Sequence, residues 1–148
     1  MELVLRLCLP RDAETVHVTR GVLGAALGAL GVAASTRDDI GLALGEACAN
    51  VIQHADPGDE YEIQVRATEF LCEIEVTDMG RGFDVTILDR ARAGAPVTAE
   101  HGRGLQIIEA LADKLVLANR GESGAVLRFE KALTWDPGTA RDFLTGRR

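Results

Sequence analysis

The chain has 148 residues, enough for one domain with a single substantial core and too few for two. With 47% hydrophobic and 26% charged residues the composition is globular, and no biased tract is long enough to specify disorder. Sixteen basic residues against 23 acidic ones give a net charge of −7, which argues against nucleic acid as a partner, because phosphate backbones require a clustered basic surface.

Residues 2–9 alternate polar and apolar, the period of a strand, and Pro10 stops them. From about 12 to 30 the apolar residues return at near-helical spacing (Val16, Val18, Val22, Leu23, Ala26, Leu27, Leu30), with Asp12 as the N-cap. Ser35, Thr36, Arg37 and Asp38 then read as the start of a second helix that runs to about residue 55. A turn over 56–59 leads to strands at 61–68 and 71–77, separated by Glu69 and Phe70 and therefore a hairpin.

Residues 78–84 form a glycine-bearing loop, 85–92 a short helix, and 93–101 a mobile stretch. A helix over 105–112 follows, then strands at 114–119 and 125–133 joined by a turn, and a polar tail with a short helix after Pro137. The pairs of adjacent strands require antiparallel neighbours. The predicted fold is an α/β two-layer sandwich, a mixed but mainly antiparallel sheet with its helices on one face. Residues 1–133 form the domain, and 134–148 the tail.

The three cysteines, Cys8, Cys48 and Cys72, have no metal-ligand spacing and each sits in apolar sequence, so all three are expected as reduced core thiols. Residues 1–9 lack the pattern of a secretory signal. The longest apolar stretch, 22–34, is far short of the roughly 20 residues a bilayer span requires. The expectation is a cytoplasmic protein with no membrane association.

Three constellations carry chemistry. On the second helix, at roughly 100° per residue, Glu46, Asn50 and His54 fall within about 80° of one another, beside an apolar stripe of Ile40, Leu44, Cys48, Val51 and Ala55. An amide oxygen is a hard ligand suited to Mg²⁺, and a carboxylate one turn away can orient or deprotonate a nucleophile. Taken alone, the same residues also read as a solvated polar stripe. After the second hairpin strand come Asp78, Gly80, Gly82, Phe83 and Asp84. Asp78 presents a carboxylate that suits an exocyclic amine, and the glycines admit close approach of a ligand, although a simple turn fits them too. Gly102, Arg103, Gly104 and Leu105 open the third helix, where free backbone N–H groups and glycines suit an anion such as a phosphate.

In that order, ExxxNxxxHA on a helix, DxGxGFD after a strand and GxGLxII opening a helix resemble the N, G1 and G2 boxes of the GHKL ATPases, the superfamily of DNA gyrase, MutL and the histidine kinases. Within it the chain looks most like the anti-sigma serine kinases of the RsbW and SpoIIAB type, over about residues 2–133. The resemblance implies ATP and Mg²⁺ as cofactors, with Glu46 as general base, Asn50 on the metal, and Asp78 on the adenine amine between Gly80 and Gly82. It also implies phosphate contacts from Gly102, Arg103, Gly104 and Leu105, and a lid over about 85–101.

The implied reaction moves the γ-phosphate to a serine of a STAS-domain anti-anti-sigma factor. The implied partners are that protein, a sigma factor and a second copy in a homodimer, met in the region of the first helix, where Arg20 reads as a contact for the sigma factor or its antagonist and equally as a solvated helix arginine. Three departures from the family pattern bear on affinity and rate rather than on fold: Ala125 where a threonine is usual, Ala49 beside the metal asparagine, and no clear basic residue in the lid before Gly102.

Two rivals stand beside this reading. A histidine-kinase catalytic domain needs a phosphoacceptor histidine followed by an acidic residue, whereas His17 is followed by Val18. A nucleotide-gated binding module without kinase activity would sequester a partner and leave Glu46 idle.

Overall fold

A computed structural model describes residues 1–54, 60–78, 103–119 and 125–139. The strands are β1 (Leu3–Pro10), β2 (Glu60–Ala67), β3 (Leu71–Asp78), β4 (Lys114–Asn119) and β5 (Ala125–Ala132). The helices are α1 (Glu14–Leu30), α2 (Ala34–His54) and α3 (Arg103–Leu111). The strands form one sheet in the order β1-β2-β3-β5-β4. Each described neighbour pair is antiparallel, so the mainly antiparallel sheet expected from sequence is antiparallel across all of these pairs. Because β5 runs against both β3 and β4, those two run the same way. The crossover through α3 therefore joins two parallel strands with β5 inserted between them.

Period-2 patterning sets the two faces of the sheet. Alternate residues of β2 and β3, including Ile63, Val65, Ile74 and Val76, are buried beneath the helices. The other face is polar, with Arg6–Glu62, Arg66–Glu2 and Arg128–Glu73 ion pairs at 2.9–3.0 Å linking neighbouring strands. Cys8 belongs to that outward set and is exposed, which corrects the expectation that all three thiols lie in the core. Strand parity decides its side, overriding the general tendency of cysteine to be buried. Cys48 and Cys72 are buried as expected.

On α2 the stripe Ile40, Leu44, Cys48 and Val51 is at most 1% exposed and packs on the sheet with Leu27 of α1 and Leu105 and Ile108 of α3. Burial of each such aliphatic side chain contributes about 1.5–3 kcal/mol. On α1 the inward residues are Thr19, Leu23 and Leu27, whereas Val18 and Val22 of the expected apolar set face solvent. The N-cap of α1 is Ala13, with no side-chain cap bond, rather than the expected Asp12; Asp12 lies one residue earlier, where its Oδ1 accepts the Glu14 N–H at 3.0 Å.

α1 ends at Gly31, whose φ of 97° is the left-handed conformation that terminates helices and that glycine adopts without strain. Residues past β5 return to this corner. The Ala33 N–H donates to the Thr134 carbonyl and the Asp136 N–H to the Gly31 carbonyl, both at 2.9 Å. Trp135 donates its indole N–H to the Glu69 carbonyl at 2.8 Å, which ties the β2–β3 hairpin to the same clasp. No described helix is long and apolar enough to cross a membrane.

Candidate functional site

α2 carries Glu46 and Asn50 one turn apart, both half-buried, on the flank of the stripe that docks on the sheet. Its apolar residues fix the helix, and with it the face from which the two polar side chains project. The C-terminal end of α2 is held by a residue that sequence reading did not single out. Arg11, just after β1, donates from Nη2 to the Val51 and Ile52 carbonyls at 3.3 and 3.0 Å. A cation on a helix's last free carbonyls satisfies them and complements the helix dipole.

α3 packs against α2 through its apolar side, with Leu105 1% exposed and Ile108 fully buried. Its first turn thereby comes against Glu46: a Cβ built on Gly104 would stand 2.9 Å from Glu46 Oε2. Two of the motifs seen in sequence are thus in contact. Arg103, the first residue of α3, is exposed. Since the Leu105 side chain belongs to the core, only its backbone is available to a ligand.

Asp78 closes β3 and is fully buried. Its register partners are Tyr61 on β2 and Ala125 on β5. Tyr61, the only tyrosine, is also fully buried and shares a hydrogen bond between its hydroxyl and that of Thr15 on α1. Thr19 in turn donates to the Thr15 carbonyl at 2.7 Å. Burial pushes the Tyr61 phenol above its ordinary value. Sequence reading passed over this cluster, although a lone tyrosine opening a strand at the inward parity was its visible signal. Burial raises the Cys48 and Cys72 thiols to about 12, so neither ionises near neutrality. Gly80, Gly82, Gly102 and the expected lid over 85–101 lie outside the described residues, as do the expected short helix over 85–92 and the side chain of His54.

Arg20 is exposed on α1, and its stem lies across two glycines of α2. A Cβ on Gly45 would stand 3.2 Å from Arg20 Cδ, and one on Gly41 3.8 Å from Arg20 Nε. Beside it runs a groove of about 290 Å³ between α1 and α2, floored by Leu23, Leu27 and Ile40 and flanked by Arg20 and Arg37.

A mainly antiparallel sheet under three described helices, with a carboxylate against the first turn of α3, fits the ATP-binding domain class that the sequence motifs suggested. Residues 9–131 match the family described as "histidine kinase-like ATPase domain". Among curated proteins, the chain is 32% identical over 139 residues to serine-protein kinase RsbW of Halalkalibacterium halodurans, covering 89% of this chain and 85% of that one. It is 30% identical over 142 residues to serine-protein kinase RsbW of Bacillus licheniformis, covering 88% of each. To serine-protein kinase RsbW of Bacillus cereus (strain AH820) it is 34% identical over 116 residues, 72% of each chain. The chain belongs to the histidine kinase-like ATPases and, within them, to the ATP-dependent serine-protein kinases of the RsbW type.

Proposed function

We propose that this protein is an anti-sigma factor that binds Mg·ATP, sequesters a sigma factor, and phosphorylates a serine on a STAS-domain anti-anti-sigma factor. The observation that carries the reading is the contact of Glu46 with the first turn of α3, on the same helix as Asn50. It supports a site in which a carboxylate stands at the opening of a helix, one turn along α2 from a hard oxygen donor. The donor set suits the groups it would hold. Mg²⁺ commonly takes one or two protein oxygens and completes its shell with water and phosphate oxygens, which matches a lone Asn50 amide. The N-terminus of a helix such as α3 suits an anion.

When bound, Mg·ATP supplies the phosphoryl group and neutralises its charge. In this reading Asp78 accepts a hydrogen bond from the adenine amine, between Gly80 and Gly82, and Asn50 holds the metal. The backbone N–H groups of Gly102, Arg103, Gly104 and Leu105 face the phosphates. Glu46 takes the proton of the partner's serine hydroxyl as its oxygen forms the new bond to the γ-phosphorus, the bond to the β-phosphate bridging oxygen breaks, and ADP leaves. Catalysis rests on positioning and charge stabilisation.

Arg20 and the groove beside it serve partner contact, and the protein works in the cytoplasm as a homodimer. The exposed guanidinium and the solvent-facing Val18 and Val22 support that use of α1.

Affinity capture from the source lysate with Mg·ATP and separately with Mg·ADP tests the reading. The expected result is a sigma factor held with ATP and a STAS protein that gains phosphoserine. Glu46→Ala keeps the capture and lowers phosphoserine formation by roughly 10²–10⁴-fold. Capture without phosphoserine under either nucleotide overturns the kinase step and leaves a nucleotide-gated binding module.

A further inference from the structure

Gly104 poses a question that helix physics does not answer. Among the described glycines only Gly31 and Gly138 have positive φ, so the backbone at 104 is one that any residue adopts. Glycine is nevertheless the poorest helix former after proline, and this one sits in the first turn of a helix of nine residues. What distinguishes the position is space. A Cβ there would meet Glu46 Oε2 at 2.9 Å, Glu46 Cβ at 3.8 Å and Glu46 Cδ at 3.9 Å, so the Glu46 side chain occupies the volume of the missing one.

Neither backbone can retreat. α3 is locked by Leu105 at 1% exposure and by fully buried Ile108, and α2 by Ala47 and Cys48, both fully buried. The carboxylate is the movable part, because it is the far end of a flexible side chain.

We propose that Gly104 is a positioning residue for the Glu46 carboxylate: it leaves open the space in which that group stands, apart from any role in admitting phosphate. The inference rests on the kinase reading for its catalytic consequence but not for its geometry. Glycine here forgoes helix stability in exchange for the placement of a base. Displacing a reacting group by about an ångström costs on the order of 10²-fold in rate.

The test is a double-mutant cycle on the full chain with Gly104→Ala, Glu46→Ala and Glu46→Asp. Gly104→Ala folds, because the clash is relieved by the carboxylate swinging aside. At saturating ATP it lowers the rate of phosphoserine formation by roughly 10²-fold. In the Glu46→Asp background, where the side chain is one methylene shorter, Gly104→Ala costs far less rate.

The thermal arm is independent of activity: the rise in Tm from Gly104→Ala is larger in the Glu46→Ala background than in wild type. Equal Tm changes in the two backgrounds, or a rate loss that appears entirely as weakened ATP binding, overturn the inference. A wild-type protein that makes no phosphoserine while the Tm cycle stays non-additive sinks the kinase reading and supports the positioning of Glu46 by Gly104.

Discussion

At one end of the sheet, where β3 begins at Leu71, the chain is latched through its backbone. The Leu133 N–H donates to the Phe70 carbonyl, the Asp136 N–H to Gly31, the Ala33 N–H to Thr134, and the Trp135 indole to Glu69. At the other end, where β3 closes at Asp78, the polar groups are side chains on separate elements instead. Asp78 and Tyr61 sit on neighbouring strands there, and Glu46 and Asn50 project from the second half of α2. The first end joins pieces that need only be held together. At the second, the Glu46 carboxylate stands against the first turn of α3. The comparison teaches that stability and chemistry are divided along the length of one sheet, and that each should respond to its own substitutions.

The sharpest way to break this division is at the site end. Asp78→Asn removes a charged hydrogen-bond acceptor, and ATP affinity measured by calorimetry should fall roughly 10- to 100-fold, the equivalent of about 1.5–3 kcal/mol. An equal loss of Tm and of affinity would show Asp78 to be a piece of the core.

Gly31→Ala attacks the clasp. The left-handed backbone costs about 1–2 kcal/mol for a residue with a Cβ, and that Cβ would also collide with the Thr139 side chain, 2.1 Å away. Tm should drop by roughly 5 °C or more with ATP affinity unchanged. A gentler cut is Trp135→Phe, which deletes the indole N–H and leaves the Glu69 carbonyl without that donor, for about 1 kcal/mol by denaturant titration.

The smallest effect at neutral pH comes from the thiols, one on each side of the division, with Cys72 near the clasp and Cys48 on the site helix. Burial raises both from 9.0 to about 12. The native state thus keeps its thiol protons where the unfolded chain has lost them. Their contribution is fully present below pH 9 and is lost as pH climbs from 9 toward 12. Urea titrations across that range should show a falling stability that Cys48→Ala and Cys72→Ala each partly flatten. Under alkylation at pH 8, Cys8 should react first, and added ATP should slow the labelling of Cys48 but not that of Cys72.

Much of the site was legible because it is written in short local patterns. Glu46 and Asn50 share a helix face by spacing alone, Asp78 stands at a strand end, and Gly104 opens a helix. Thr15 and Arg11 were not legible, since each gains its role from a residue far away in the chain: Thr15 from Tyr61, and Arg11 from the carbonyls of Val51 and Ile52. The exposure of Val18 and Val22 was missed for a related reason. Helical periodicity gives an apolar arc but not how wide an arc the neighbouring helix covers.

By itself the sequence determined the alternating strands, the helix with its buried stripe, and the order of the three motifs, because backbone periods of 2 and 3.6 act over a few residues. Tertiary structure alone decided that β5 lies between β3 and β4, that residues past β5 fold back on Gly31, and that the carboxylate of Glu46 fills the space beside Gly104. Those outcomes depend on which edges and surfaces remain unsatisfied once the local elements exist. Burial and backbone hydrogen bonding settle that over the whole chain at once.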